Sequence, residues 1–304
     1  MNTTNIDQSQ SSGGNRSEQI STGKTKMAQI HPTAIVDPQA ELADSVTVEP
    51  YAIISGPVRI GEGTIIHAHT HVQGKTVIGK DCRIGPTAFI GLPAQHLRAD
   101  ATIGQTVIGD RVVIRELATV HRSTHAGDDH ATRVGDDCFL MGAVHIAHDC
   151  ILENGVIAAN AVLMGGHCHI GRKAFLGGGC TLHQFVRIGH LAIVSGNEPT
   201  SQDIPPFASF RYGGLKGYNA IGCKREGFSH EEIHAIRSAY HCFHSHRNLL
   251  DVVKAIKETV PDLPVVREIL DFIATSKRGI VPSLSQRGVA GGGGTGKEWD
   301  NSGD

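Results

Sequence analysis

From Ile30 onward the chain places an aliphatic residue at every sixth position. The series runs Ile30, Val36, Leu42, Val48, Ile54, Ile60, Ile66, Val72, Ile78, Ile84 and Ile90, and returns in phase at Ile108, Ile114 and Val120. After a shift of two residues it resumes at Val134, Leu140, Ile146, Leu152, Ala158, Met164, Ile170, Leu176, Leu182, Ile188 and Val194. Only Ala158 and Met164 depart from Ile, Leu or Val. An α-helix repeats every 3.6 residues and a strand every two, so neither generates this period. The pattern predicts a left-handed parallel β-helix. Each hexad makes a short flat strand and a corner, and three hexads close one triangular coil. The aliphatic leads stack in ladders inside, so each coil buries its inner face only against its neighbours.

Composition agrees with a thin prism rather than a core built on large rings. The 304 residues include 37 glycines, well above the roughly 7% average, and only 5% aromatics. Gly often follows the lead residue, at 61, 79, 85, 109, 135, 171 and 189. The net charge of −2 gives no general electrostatic reason to expect a nucleic-acid partner. No run of about 18 apolar residues exists, so a spanning helix is not expected.

The period sets the domain organisation. Residues 1–28 are polar without an apolar signal region and read as a disordered extension. The β-helix is expected over 29–211, interrupted by loops at 91–107 and 121–133. Insertions in a solenoid leave from one face, often the binding face, so both loops are candidate walls of a cleft. A helical domain is expected over 212–285. Ser229 and Glu232 form a capping-box pattern before Ile233, Ile236 and Tyr240, and Leu249–Ile256 and Val265–Ile273 suggest two more helices. This domain could cap the open end of the prism. Residues 286–304 are a flexible Gly-rich tail. Seven cysteines, an odd number without CxxC pairing, read as buried reduced thiols in a cytoplasmic protein.

Among 19 histidines, the string His145-Ile-Ala-His148-Asp149-Cys150 carries the clearest chemistry. His148 followed by Asp149 offers a base with a carboxylate to orient it and stabilise the imidazolium. Residues 18 apart stack on adjacent coils, roughly 4.8 Å apart as neighbouring strands are. His167 therefore stacks on Asp149, and Gly166 on His148, leaving an accessible N–H beside the base for an acyl-transfer oxyanion. A metal reading stays open, because His145, His148 and His167 could ligate zinc with Asp149 behind them. His67, His69 and His71 read as the polar outer face of one strand, and His241, His244 and His246 as solvated positions near a helix end. No P-loop or Ser-His-Asp order is present.

The hexads, HIAHDC at 145–150, MGGH at 164–167, LHQF at 182–185, QDIPPF at 202–207 and CKREGFS at 223–229 together resemble the acyl-ACP:UDP-N-acetylglucosamine O-acyltransferases. The resemblance spans about Ile30 to Arg278. It implies transfer of a 3-hydroxyacyl chain from acyl carrier protein to the 3-hydroxyl of UDP-N-acetylglucosamine, the first step of lipid A biosynthesis, without a cofactor or metal. On this resemblance His148 is the general base, Asp149 its orienting carboxylate and Gly166 the oxyanion donor. His145, His167, His183 and Gln184 position substrate. Gln95 and Arg98 meet the nucleotide-sugar side, and Asn219 and Arg225 contact nucleotide or phosphate. The family works as a homotrimer with sites between neighbouring prisms.

Some positions depart from the family pattern. His96 stands where an Asp is usual, which bears on the choice between a 3-hydroxyl and a 3-amino sugar. Glu226 replaces a second Arg, and Ile221 replaces an acidic uracil contact. Gly196 falls where a side chain in this family can limit acyl length, and favours longer chains. Lys224 with Arg225 forms the local basic patch that an acidic carrier protein and a nucleotide sugar need. Two other readings compete: a trimeric β-helix zinc hydratase similar to the gamma carbonic anhydrases, and a non-catalytic β-helix scaffold. Within the class, an N-acyltransferase of the same pathway would carry an extra N-terminal domain, for which residues 1–28 leave no room.

Overall fold

The computed structural model describes residues 27–98, 100, 104–127 and 130–287. The extension expected over 1–28 and the tail expected over 286–304 therefore lie almost wholly outside the described residues. The six-residue period folds as expected into a left-handed β-helix of two- to four-residue strands, forming three parallel faces. Among the described residues the first face starts at Gln29–Ile30 and has 11 strands, the last of them the antiparallel five-residue Gly214–Tyr218, while the second starts at Ile35–Val36 with 9 and the third at Glu41–Leu42 with 8. Register is strict: His145 pairs with Leu163, which pairs with Thr181. The leads are buried from Val48 to Val194, while Ile30 at the open first coil is 45% exposed.

Two backbone rules shape the corners. A non-glycine residue takes the left-handed conformation at many of them, including Asp149 (φ 60°), His167 (φ 61°) and Phe185 (φ 67°) along one edge. Asp and His tolerate that region better than most side chains. The glycines after the leads answer a different demand. At Gly61, Gly79 and Gly171 an added Cβ would lie 2.8, 2.3 and 2.6 Å from the nearest atom of the next coil. Coils approach too closely along that edge for any side chain.

Both loops leave the same edge, where the second face turns into the third. The flanking strands Phe89–Leu92, Gln105–Ile108, Thr119–His121 and Thr132–Val134 reach into the ranges expected to be loop, so the excursions are shorter than the phase gaps suggest. The helical region also starts later than 212. Gly213, with φ 72°, turns the chain into an antiparallel hairpin of Ala208–Arg211 with Gly214–Tyr218, which extends the first face. Helices follow at α1 (Ala220–Arg225), α2 (His230–Ser245), α3 (Leu249–Thr259), α4 (Pro264–Ala274) and α5 (Leu284–Arg287). Ser229 and Glu232 form the capping box of α2. Fully buried Tyr240 of α2 donates to the Pro206 carbonyl at 2.6 Å, tying the helices to the last coil. All seven cysteines are buried and unpaired.

Two histidine groups differ from expectation. His67 and His69 lie in the turn before the strand His71–Gln73, not on one strand with His71. Their partners diverge too: His67 meets Glu49 at 3.1 Å, and His69 stacks on Tyr51. His244 is not solvated, since its ring bonds the buried Ser283 hydroxyl.

Candidate active site

The edge joining the second and third faces carries a column of the candidate site residues. It rises through His148 and Asp149, Gly166 and His167, then His183 and Gln184, with both loops beside it. His148 Nδ1 lies 2.7 Å from Asp149 Oδ2. Thr124, in the second loop, donates its hydroxyl to the same carboxylate at 2.8 Å and its backbone N–H at 3.1 Å. His167 Nε2 stands 3.6 Å from Asp149. Burial by itself would raise the Asp149 pKa, but the hydrogen bonds from His148 and Thr124, with His167 nearby, hold it below its ordinary value. The carboxylate is thus ionised and accepts only, so His148 Nδ1 carries the proton. Nε2 is left with its lone pair free to act as a base.

Gly166 packs directly on the His148 ring. A Cβ there would sit 2.5 Å from His148 Cε1 and 2.7 Å from Nε2. Its neighbours Gly165 and His167 donate their N–H groups to the adjacent coils at 2.9 and 3.0 Å, whereas the Gly166 N–H makes no hydrogen bond among the described residues. A base and an unspent donor therefore share one small space. That is the arrangement acyl transfer requires, because negative charge on a tetrahedral intermediate develops beside the group that activates the nucleophile.

Further histidines shape the surroundings. His96 from the first loop and His167 meet the His148 ring edge-on at 5.5 and 5.2 Å. His145 bonds Thr119 at 2.7 Å and lies edge-on to His121, which in turn bonds the Pro93 carbonyl at 2.7 Å. Burial lowers the pKa of both His121 and His145; the Pro93 carbonyl partly opposes this at His121, His148 adds to it there, and His121 and His148 add to it at His145. Gln95 and Arg98 sit exposed on the first loop, with the Arg98 N–H 3.3 Å from His96 Nδ1.

The zinc set envisaged from sequence changes membership. Among the described residues, His148, Asp149 and His167 are the group whose donor atoms lie within 4.8 Å of one another, while His145 is held by Thr119. Two ligands at about 2.0 Å from a tetrahedral zinc stand roughly 3.3 Å apart. The 2.7 Å His148–Asp149 separation is instead that of a charge-assisted hydrogen bond.

Other site candidates lie on different edges. Gly196 is at the edge between the first and second faces, where a Cβ would come within 3.0 Å of the Gly178 carbonyl. Asn219 caps α1, accepting from the Gly222 N–H at 2.9 Å and donating to the Leu191 carbonyl at 2.9 Å. Exposed Lys224 and Arg225 end that helix, and Glu226 pairs with Lys173. Leu191 and Lys173 mark the edge between the third and first faces. Within one chain, then, Asn219 and Arg225 stand on a different edge of the prism from His148.

Comparison with known proteins settles the family. Residues 203–281 match the model for UDP N-acetylglucosamine O-acyltransferase domain 2, and residues 57–91 match the six-repeat bacterial transferase hexapeptide model. The acyl-[acyl-carrier-protein]–UDP-N-acetylglucosamine O-acyltransferase of Thermodesulfovibrio yellowstonii is 41% identical over 257 residues, covering 84% of this chain and 99% of that one. This chain belongs to that acyltransferase family. The family member from Herminiimonas arsenicoxydans is 40% identical, covering 84% of this chain and all of its own. Among solved structures, the UDP-N-acetylglucosamine acyltransferase of Francisella novicida superposes with a TM-score of 0.79 at 33% identity, covering 84% and 95% of the two chains. The Bacteroides fragilis acyltransferase gives 0.79 at 34% identity, covering 83% and 100%.

Three residues at this candidate site escaped the sequence reading. Thr124 holds Asp149 from inside a loop, and a lone Thr in such a segment carries no signal. Phe185 stacks on His167 with ring centroids 4.5 Å apart and planes 7° apart. The 18-residue spacing could have found that pair. Arg278, from the segment after α4, reaches His183 across 95 positions of sequence, a distance that no local pattern spans.

Proposed function

We propose that this enzyme transfers a 3-hydroxyacyl chain from acyl carrier protein to the 3-hydroxyl of UDP-N-acetylglucosamine, opening lipid A biosynthesis, with His148 as general base. The observation that carries this reading is His148 held between the Asp149 carboxylate and the unspent Gly166 N–H. His148 Nε2 takes the proton from the sugar hydroxyl as its oxygen attacks the thioester carbonyl carbon. The Gly166 N–H stabilises the resulting oxyanion, and Asp149 stabilises the imidazolium. Collapse breaks the carbon–sulfur bond, and His148 returns its proton to the departing thiolate.

His145, His167, His183 and Gln184 position the substrates along the column, with Gln95, His96 and Arg98 closing over the nucleotide-sugar side. His96 replaces a carboxylate at the sugar, so the 3-amino analogue is the competing acceptor to test. Asn219 and Arg225 bind the nucleotide of a neighbouring chain's site. Their place on a different prism edge supports a homotrimer in which two chains complete each site. Lys224 and Arg225 offer positive charge to the carrier protein. Gly196 leaves the acyl groove open to longer chains. Unpaired buried cysteines fit a reducing cytoplasm. Among the described residues no helix is long and apolar enough to cross a membrane.

The test is to incubate the purified protein with UDP-N-acetylglucosamine or its 3-amino analogue and 3-hydroxyacyl carrier proteins of increasing length. Products are identified by mass spectrometry. A mass increase matching one 3-hydroxyacyl group on the nucleotide sugar is expected. No acylated product at any length overturns the proposal.

A further inference from the structure

The segment that leaves α4 returns to the functional edge and is fastened there. Asp203, fully buried at the last turn of that edge, accepts from the Arg187 N–H at 2.8 Å and the Ser276 hydroxyl at 2.7 Å. Its backbone brackets the returning chain: its N–H donates to the Gly279 carbonyl at 2.8 Å, and its carbonyl accepts from the Val281 N–H at 3.0 Å. Arg278 lies between these anchors. Its Nε donates to the Ser201 carbonyl at 2.9 Å, and its Nη2 lies 3.1 Å from His183 Nδ1. Two contacts from one planar guanidinium fix its orientation.

The chemistry of this contact is one-sided. A guanidinium carries N–H donors and no acceptor, and stays protonated in proteins. His183 Nδ1 must therefore present its lone pair to Arg278, so the ring proton of neutral His183 resides on Nε2. The same Nδ1 lies 3.2 Å from the Gln184 carbonyl, a contact that needs the opposite tautomer, with the proton on Nδ1. The two contacts are mutually exclusive as hydrogen bonds, and Arg278 decides between them.

We propose that Arg278 is a positioning residue that locks His183 as the Nε2–H tautomer, so that His183 serves as a hydrogen-bond donor to an acceptor oxygen of the substrate. Removing Arg278 releases Nδ1–H to the Gln184 carbonyl and turns Nε2 into an acceptor, inverting the polarity His183 offers. The helical domain thereby sets the protonation pattern of a side chain on the prism. The tautomer assignment stands on geometry alone; what His183 meets rests on the acyl-transfer reading.

The test combines nitrogen-15 NMR of histidine-labelled full-length protein with steady-state kinetics. His183→Gln assigns the resonance. Wild type is expected to show the Nε2–H pattern at His183, and Arg278→Ala the Nδ1–H pattern. Arg278→Lys retains a donor to Nδ1 and should restore the wild-type pattern. In kinetics, Arg278→Ala is expected to raise KM about tenfold with kcat nearly unchanged, the effect of losing one ground-state hydrogen bond. Adding Arg278→Ala to His183→Ala should cause little further loss, because both remove the same contact. An Nε2–H pattern that persists in Arg278→Ala, or losses that multiply in the double variant, overturns the proposal. If no acylated product forms at all, the reaction assignment fails while the NMR result still decides the tautomer.

Discussion

Gly166→Ala tests the core of the site with a single methyl group. In the present backbone the new Cβ would lie 2.5 Å from His148 Cε1 and 2.7 Å from Nε2. Carbon contacts settle near 3.5 Å, so the ring must retreat by about 1 Å. It has little room to do so. His148 is only 8% exposed, with the rings of His96 and His167 against it, and its Nδ1 is held by Asp149 at 2.7 Å. A 1 Å displacement of a reacting group costs about 10²-fold in rate, or roughly 2.7 kcal/mol of barrier. If the ring holds its place instead, overpacking destabilises the fold by about 1–3 kcal/mol. The assay is acyl transfer from a 3-hydroxyacyl carrier protein to UDP-N-acetylglucosamine at saturating substrate, alongside a thermal melt. We expect kcat to fall by about 10²-fold with a smaller change in KM, and His148→Ala to mask the effect of Gly166→Ala in the double variant. A Gly166→Ala enzyme within about threefold of wild-type kcat, with an unchanged melt, would refute the argument that His148 works from this position.

Two further outcomes follow from the same geometry. Asp149→Asn keeps the shape but removes the charge that orients His148 and stabilises its imidazolium, so kcat should drop by about 10²-fold or more; activity within twofold of wild type would take the carboxylate out of the mechanism. Burial lowers the pKa of His121 and His145 below the ordinary 6.5, so the folded state binds fewer protons than the unfolded chain in the window beneath that value. Stability is then fully present above pH 6.5 and declines as pH falls toward the depressed folded values. Chemical denaturation at pH 7.5 and 5.5 should show a lower midpoint at the acid pH, with His121→Gln reducing the difference; an equal midpoint contradicts the assignment.

Much of the molecule is legible in one dimension because a solenoid writes its geometry locally. Each lead residue is buried by the hexads three before and three after it, so the ladder, the coil length and the stacking of Gly166 on His148 and His167 on Asp149 all follow from counting. The same counting contains the Phe185–His167 stack. It fails where the chain leaves the period. Shorter loop excursions came from strands that extend past the phase, and the hairpin at Ala208–Tyr218 hides in a segment without hexads. His67, His69 and His71 look alternate in the sequence, yet a corner separates them.

What the sequence by itself determined is the prism, the grouping of His148 with Asp149 and Gly166, and the helical character of the C-terminal region. These depend on spacings that a repeating backbone converts directly into distances. Only the tertiary structure decided that Thr124 completes the cradle of Asp149, that Asn219 and Arg225 stand on another edge from His148, and that Arg278 reaches His183. Those contacts join segments whose separation obeys no period. Their geometry is set by how the loops and the helical domain pack against the coils, through anchors such as buried Asp203 and Tyr240.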